Sequence, residues 1–557
     1  MPYPLARAPF GRRRPPHAGS ALPLVIAAML TLHGCGGGGG GSPVLPGPTP
    51  TTPAPGQHTL TLQVKGVGRV DSVPEGGFTC GASCMVEFVN GTSLRLRATP
   101  AAGQSFDGWL GDCSGSASTC DVRLDRDVYV SAVFTAAPHA GWGAEQAISA
   151  GGADEPRVSI DSRGRALAVW SQVVAGSADR RLMASTGTAG GWSAPLRVDT
   201  GGADAAFARL AMEPSSGRAV LMWRQLDGTA DLWARPYDPA TGWGAPVRVD
   251  NQPGSVGQVE VGMDAQGNAV AAWEQIGPGT RISLYGARFS AAAGSWSVPV
   301  LLETNETVGS VDGSPALAVA PSGDAVVVWK RSDGVSGHLW TNRFTATSGW
   351  GTAVEVVADA GSSQFIGGHA LALDARGQGL LVWGQVDVVN GNATSGLQFK
   401  RLTDGAWQAG STPVGGSVPT RQGYLSQPVL AMNAAGTALL AWRREDNSVM
   451  AATTVAGAAS FGTPVQVRAA GTPALTALPT VGIDAAGNGL LAWTDNDLWL
   501  ARLTGGAWLP AALNEEKPGE TGTPALSMTE GGAAVLAWRQ FITGEGTRIF
   551  ARLYGSP

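Results

Sequence analysis

The chemistry most tightly constrained by spacing belongs to five cysteines: Cys35 stands alone, and Cys80, Cys84, Cys113 and Cys120 follow as a group. A lone thiol ahead of an even set of four suits an exported chain in which the four pair as two disulfides. Three pairings are possible. The local pairs Cys80–Cys84 and Cys113–Cys120 are favoured, because each closes a Gly- or Ser-containing turn at the end of a strand-like run. Metal ligation is the other reading of a Cys-x3-Cys pair, but the nearest histidines, His58 and His139, flank the unit, so no metal is expected.

A second constellation lies two residues after a recurring tryptophan: Gln172, Gln225, Gln275, Arg331, Gln385, Arg444, Asp495 and Gln540, polar in every copy and directly after an apolar strand. One reading is a polar strand end meeting solvent. The other is a ring of hydrogen-bonding groups around a central opening, suited to a saccharide or a peptide. From residue 141 onward the only histidines are His338 and His369, with neither GxSxG nor HExxH, so no catalytic residue and no cofactor is assigned. Paired carboxylates on separate strands leave no trace in sequence, so a glycan-processing enzyme stands as the alternative to a binding module.

The elements that position these residues begin with an address. Arg7 to Arg14 precede the apolar run Ala21 to Leu32, which is too short to span a bilayer and has the order of a signal peptide. Leu32-His33-Gly34-Cys35 resembles the bacterial lipobox. The resemblance implies cleavage after residue 34, a lipid on Cys35 that anchors the chain to a membrane, and, with Gly36 rather than Asp following, an outer-membrane or cell-surface location. Residues 35–57, a glycine run followed by a Pro- and Thr-rich stretch, form a linker that cannot build a core. Without the first 34 residues, 34 basic residues face 43 acidic ones, a net charge of −9 that argues against nucleic acid as a partner.

Residues 58–136 alternate with strand period, as in Leu60-Thr61-Leu62-Gln63-Val64 and Val128 to Phe134. With Gly66-Val67-Gly68-Arg69-Val70, Cys80-Gly81-Ala82-Ser83-Cys84, Leu96 to Pro100 and Phe106-Asp107-Gly108-Trp109, this stretch resembles the divergent InlB-type B-repeat. That resemblance implies a small β module serving as stalk or adhesion spacer, without catalysis.

Residues 141–557 repeat. An apolar strand, an Asp-x-x-Gly turn and an apolar strand ending in Trp recur at Trp170, Trp223, Trp273, Trp329, Trp383, Trp442, Trp493 and Trp538, with a Gly/aromatic landmark between them at Trp142, Trp192, Trp243, Trp296, Trp350, Trp407, Phe461 and Trp508. Fifteen of 19 tryptophans are placed by this pattern, so they are expected in the core. The turn aspartates could be calcium ligands, but Asn433, Ala320 and Thr529 occupy the same place in other copies, which favours turn chemistry. Abundant Gly (80) and Pro (36) with only 15% charged residues suit many short strands. The region starts on a fourth-strand signature (Gly141 to Ile148) and finishes after a third strand (Ile549 to Tyr554), so the first segment is expected to complete the last sheet. The fold expected is all-β: an eight-bladed β-propeller of four-stranded blades, monomeric, behind a small disulfide-bonded β domain. Loops Val386 to Gly396 and Gly415 to Gln427, with Arg421 and Tyr424, would overhang one face.

Strand order, with Thr186 to Trp192 and Leu402 to Trp407 as degenerate Asp-box hairpins, resembles the sialidase-like propellers. Only the fold follows from it. Sialidase activity needs an arginine triad and a Tyr/Glu pair, and this region holds four tyrosines, no Arg-Ile-Pro motif, and Pro156-Arg157-Val158 as its nearest approach.

Overall fold

The computed structural model describes residues 56–555 apart from 66–67, 74–76, 82, 101–103, 116, 137–140, 174–175, 178, 202–203, 278–280, 304–310, 333–336, 359–363, 391, 420–426, 471–473, 510 and 514–519. The expected signal segment, Cys35, most of the expected linker, Arg421 and Tyr424 lie outside these residues. Among the described residues every regular element is a β-strand.

The first unit is two four-stranded sheets. One runs in the order Ser83–Val89, Gln57–Lys65, Val128–Ala136, Gln104–Gly111, and the other Thr79–Cys80, Gly68–Val73, Thr92–Pro100, Thr119–Leu124. Alternation buries Leu60, Leu62, Val70, Leu96, Val122, Val130 and Phe134 between them. Both expected disulfides are present. Cys80 and Cys84 sit on strands of different sheets, so that bridge staples one sheet to the other.

From residue 141 onward eight further sheets follow, each centred on one of the recurring tryptophans. The Trp273 sheet is representative: Ser255–Met263, Ala269–Ile276 and Ile282–Ser290 pair in succession, and the fourth position is filled by two short pieces, Ser295–Trp296 and Val300–Leu301. Pro299, which has no N–H to give the ladder, stands at the break, as do Pro195 and Pro246 in their sheets, while the Trp350 and Trp407 sheets break at the same place without proline. The second strand is buried on both sides, and all eight tryptophans are at most 5% exposed. Between the first two strands the turn aspartates do backbone work: Asp264 Oδ1 accepts from the N–H of Gln266 (2.9 Å) and Asn268 (2.8 Å), and Asp161 and Asp374 repeat the pattern. Glu213, a longer acid in the second copy, reaches the amides of Ser215 and Ser216 instead.

The first strands pack on one another in sequence, Ala153–Ile160 on Ala205–Met212 and so on to Thr521–Met528, which packs back on Ala153–Ile160. The expected closing pair is there too. Gln146–Ala147 pairs with Gly546–Tyr554 as the fourth strand of the Trp538 sheet, flanked by Gly143 N–H to Leu553 O (2.7 Å) and Ile148 N–H to Ile549 O (2.9 Å). This is an all-β, β-propeller-like arrangement. It gives the repeat region two distinct sides, one carrying the Asp turns and the other carrying the loops that enter each first strand and leave each second strand.

Candidate binding surface

The Trp+2 residues sit at the loop-side end of the second strands. Residues i and i+2 of a strand share a face, so where the second strand extends that far the side chain is turned toward its own tryptophan. In five sheets the consequence is one hydrogen bond: the indole N–H of Trp170, Trp223, Trp273, Trp383 and Trp538 donates to Oε1 of Gln172, Gln225, Gln275, Gln385 and Gln540, at 3.1–3.3 Å. The amide of the same glutamine then donates to a carbonyl of the loop entering the first strand, Gly151 O for Gln172, Asp204 O for Gln225 (3.4 Å) and Gln252 O for Gln275 (3.5 Å). The other members are also engaged. Asp495 accepts from Trp499 Nε1 (2.9 Å) and pairs with Arg468 (2.8 Å), and Arg331 lies over the Trp340 ring at 4.9 Å. Arg444 is half-buried in the Trp442 sheet. These bonds give the glutamines a packing role, anchoring loops to the core. Gln275→Ala should therefore lower stability by about 1–3 kcal/mol by leaving a buried indole N–H without an acceptor. Gln275→Glu, which keeps that acceptor but buries a carboxylate against Gln252 O, should lose at least as much; urea unfolding midpoints of the two variants check this.

The loop side is shaped by two features that sequence reading missed. First, the inner strand bulges near its loop-side end in six sheets, between Asp154/Arg157, Ala206/Arg209, Val256/Val259, Gly313/Ala316, Ile366/His369 and Gly522/Ala525. The first inserted residue holds positive φ without being glycine at Glu155 (54°), Phe207 (57°), Ser314 (56°) and Thr523 (50°). Second, in four sheets the residue directly after the tryptophan points away from it and stitches its sheet to the next sheet's bulge. Arg224 Nη1 donates to Gly257 O (3.3 Å), Glu274 accepts from Ser314 N–H (2.6 Å), Lys330 Nζ donates to Ile366 O (2.8 Å), and Arg539 reaches Asp154 (3.5 Å) across the seam between the last sheet and the first. Gly257 is glycine because a Cβ there would lie 2.2 Å from Glu274 Oε2.

Charge is concentrated where the first three sheets meet. Arg209 pairs with Glu260 (3.1 Å), Glu155 accepts from Phe207 N–H (3.4 Å), and Arg157 donates to Ala208 O (3.2 Å). Burial, and then the nearby Arg209 charge, push the Arg157 pKa down. Burial likewise lowers that of Arg224, whose guanidinium lies 3.8 Å from the centroid of the exposed Phe207 ring. Arg180 clamps Asp204 (2.9 Å) and holds its carboxyl below the usual range.

The expected overhanging loop 386–396 is instead a hairpin. Gly379–Val389 and Asn392–Thr403 pair along their whole length, because Val386, Val388 and Val389 favour strand and Asn390, at φ 53°, makes the turn. Cavities on the turn side, about 450 Å³ beside Asp374 and Arg401, 260 Å³ beside Arg218 and 200 Å³ beside Arg165, recur at equivalent places between adjacent sheets, and the salt bridges Arg376–Asp374, Arg218–Asp238 and Arg165–Asp161 occupy their polar groups.

A family model described as the divergent InlB B-repeat domain matches residues 70–138. No curated protein matches the chain. Among solved structures, the polysaccharide lyase Uly1 is 10% identical, with 75% of this chain and 93% of that chain covered and a TM-score of 0.44. A protein of unknown function from Dyadobacter fermentans is 12% identical, with 72% and 98% covered and a TM-score of 0.37. An α-L-arabinanase from Penicillium chrysogenum, solved with arabinobiose, is 12% identical, with 63% and 92% covered and a TM-score of 0.37.

Proposed function

We propose that this chain is a lipid-anchored binding module of the outer membrane or cell surface. In this reading Cys35 carries the lipid, residues 35–57 tether, residues 58–136 space, and residues 141–557 form a closed eight-bladed propeller whose loop side holds a saccharide or protein ligand. The observation that carries it is the recurrence of strained bulge residues at one end of the inner strands. A non-glycine residue at positive φ costs about 1–2 kcal/mol, and four of them at equivalent positions accumulate where a ligand would be clamped. No catalytic group, metal or cofactor is invoked.

The full chain should bind a component of an array combining oligosaccharides with envelope and host-surface proteins. Arginine introduced at Ser314 and Thr523 should weaken that binding at least tenfold, while Arg376→Glu on the turn side should leave it unchanged. Loss on the turn-side change alone would place the site on the opposite side. Release of reducing sugar ends from a bound glycan would replace binding with catalysis.

A further inference from the structure

Phe207 combines two unfavourable circumstances. Its ring is 42% exposed, and its backbone holds φ 57°. The φ comes with the bulge, being shared with Glu155, Ser314 and Thr523, but the aromatic ring does not, since the equivalent positions carry Glu155, Gly257 and the small polar Ser314 and Thr523. A benzyl side chain at this place is therefore not explained by folding. What surrounds it is rigid: one guanidinium, Arg224, covers the ring at 3.8 Å and is itself tied to Gly257 O, while Glu155 accepts from the N–H of Phe207 itself. Two residues along the strand, Arg209 is fixed by Glu260.

We infer that Phe207 is the stacking platform for a pyranose ring, with the Glu155 carboxylate that holds its N–H and the Arg209–Glu260 pair two residues along the strand to meet hydroxyl groups. The inference rests on the loop-side binding reading and names its ligand class. A sugar ring has a flat C–H face edged by hydroxyls, and a half-exposed aromatic flanked by planar, pre-oriented polar groups matches both parts. A peptide adding as a strand would need open backbone N–H groups. Here the bulge amides of Phe207 and Ser314 are already taken by Glu155 and Glu274.

The test uses the full chain on an array of neutral and uronate-containing oligosaccharides, followed by titration calorimetry with the strongest hit. Phe207→Gly should lower affinity about tenfold or more while the melting temperature stays level or rises, because glycine relieves the positive φ. Phe207→Leu, which keeps apolar cover for Arg224 but has no π face, should lose affinity similarly, and Phe207→Trp should retain it. Undiminished binding by the Leu variant, or a Gly variant that binds normally but melts markedly lower, would make Phe207 a packing residue and overturn the inference. Wild-type binding to protein only would overturn the saccharide class and leave the binding-module reading standing. No binding to either class would remove both.

Discussion

Deleting residues 141–149 from the full chain is expected to abolish cooperative folding of the repeat region or to lower its melting temperature severely, whereas deleting residues 58–136 should move it little. The short segment fills the fourth position of the Trp538 sheet; its Trp142, 8% exposed, completes the core between the seventh and last sheets, and its Ile148, 5% exposed, the core between the last and the first. Ser149 Oγ accepts the N–H of Ile549 (2.7 Å), and the Glu145 carboxylate faces the Arg552 guanidinium at 4.0 Å with both side chains at most 3% exposed. Losing the burial of two large apolar side chains and stranding a buried arginine should together cost at least about 5 kcal/mol. That is comparable with the whole stability of many domains, about 5–15 kcal/mol. The N-terminal unit shares no sheet with the repeats among the described residues, so its loss removes no ladder from them. Differential scanning calorimetry of the two deletions decides the matter. Equal effects would mean that the cycle of sheets is not held shut by residues 141–149, and Glu145→Ala alone, expected to cost about 3 kcal/mol, isolates the ion pair from the strand.

What could be read from sequence was whatever a single sheet determines. Tryptophan spacing, Asp-x-x-Gly turns, the displaced fourth strand and the two local cysteine pairs are all fixed by residues close in the chain, and each appears as expected. The glutamines two residues after tryptophan were legible in principle. Strand period alone puts Gln275 on the face of Trp273, yet its position at a strand end drew attention to solvent and to ligands rather than to the indole beside it. The bulges and the stitches were not legible, because they belong to the seams between sheets. Nothing near Glu274 announces that its carboxylate will hold the amide of Ser314 forty residues later, or that Gly257 must make room for it. Phe207 likewise looks like one more strand hydrophobe until its φ and its exposure are known.

Mild acid should destabilise the repeat region through His369, and His369→Gln should blunt that loss. The ring follows the bulge of the fifth inner strand and lies in the seam with the fourth sheet, its Nε2 donating to Val328 O at 3.3 Å. Burial is the largest influence on it. The carbonyl acceptor works against burial, the nearby Lys330 ammonium works with it, and together they bring the pKa from 6.5 to about 4. In the native protein His369 therefore stays neutral down to about pH 4, while in the unfolded chain it takes up a proton near 6.5. Between those values the unfolded state binds more protons, so stability falls as the pH falls from 6.5 to 4 and loses nothing further to this group below that. The full difference amounts to about 3 kcal/mol. Carboxylates such as Asp204, whose pKa is lowered by Arg180, add their own loss at lower pH, so the informative quantity is the difference between wild type and variant. Chemical denaturation of both at pH 7.5 and pH 4.5 should show the wild type ahead at the higher pH and its advantage shrinking or reversing at the lower. A difference that does not change with pH would mean that His369 is already protonated in the native seam or that Lys330 moves away to admit the charge.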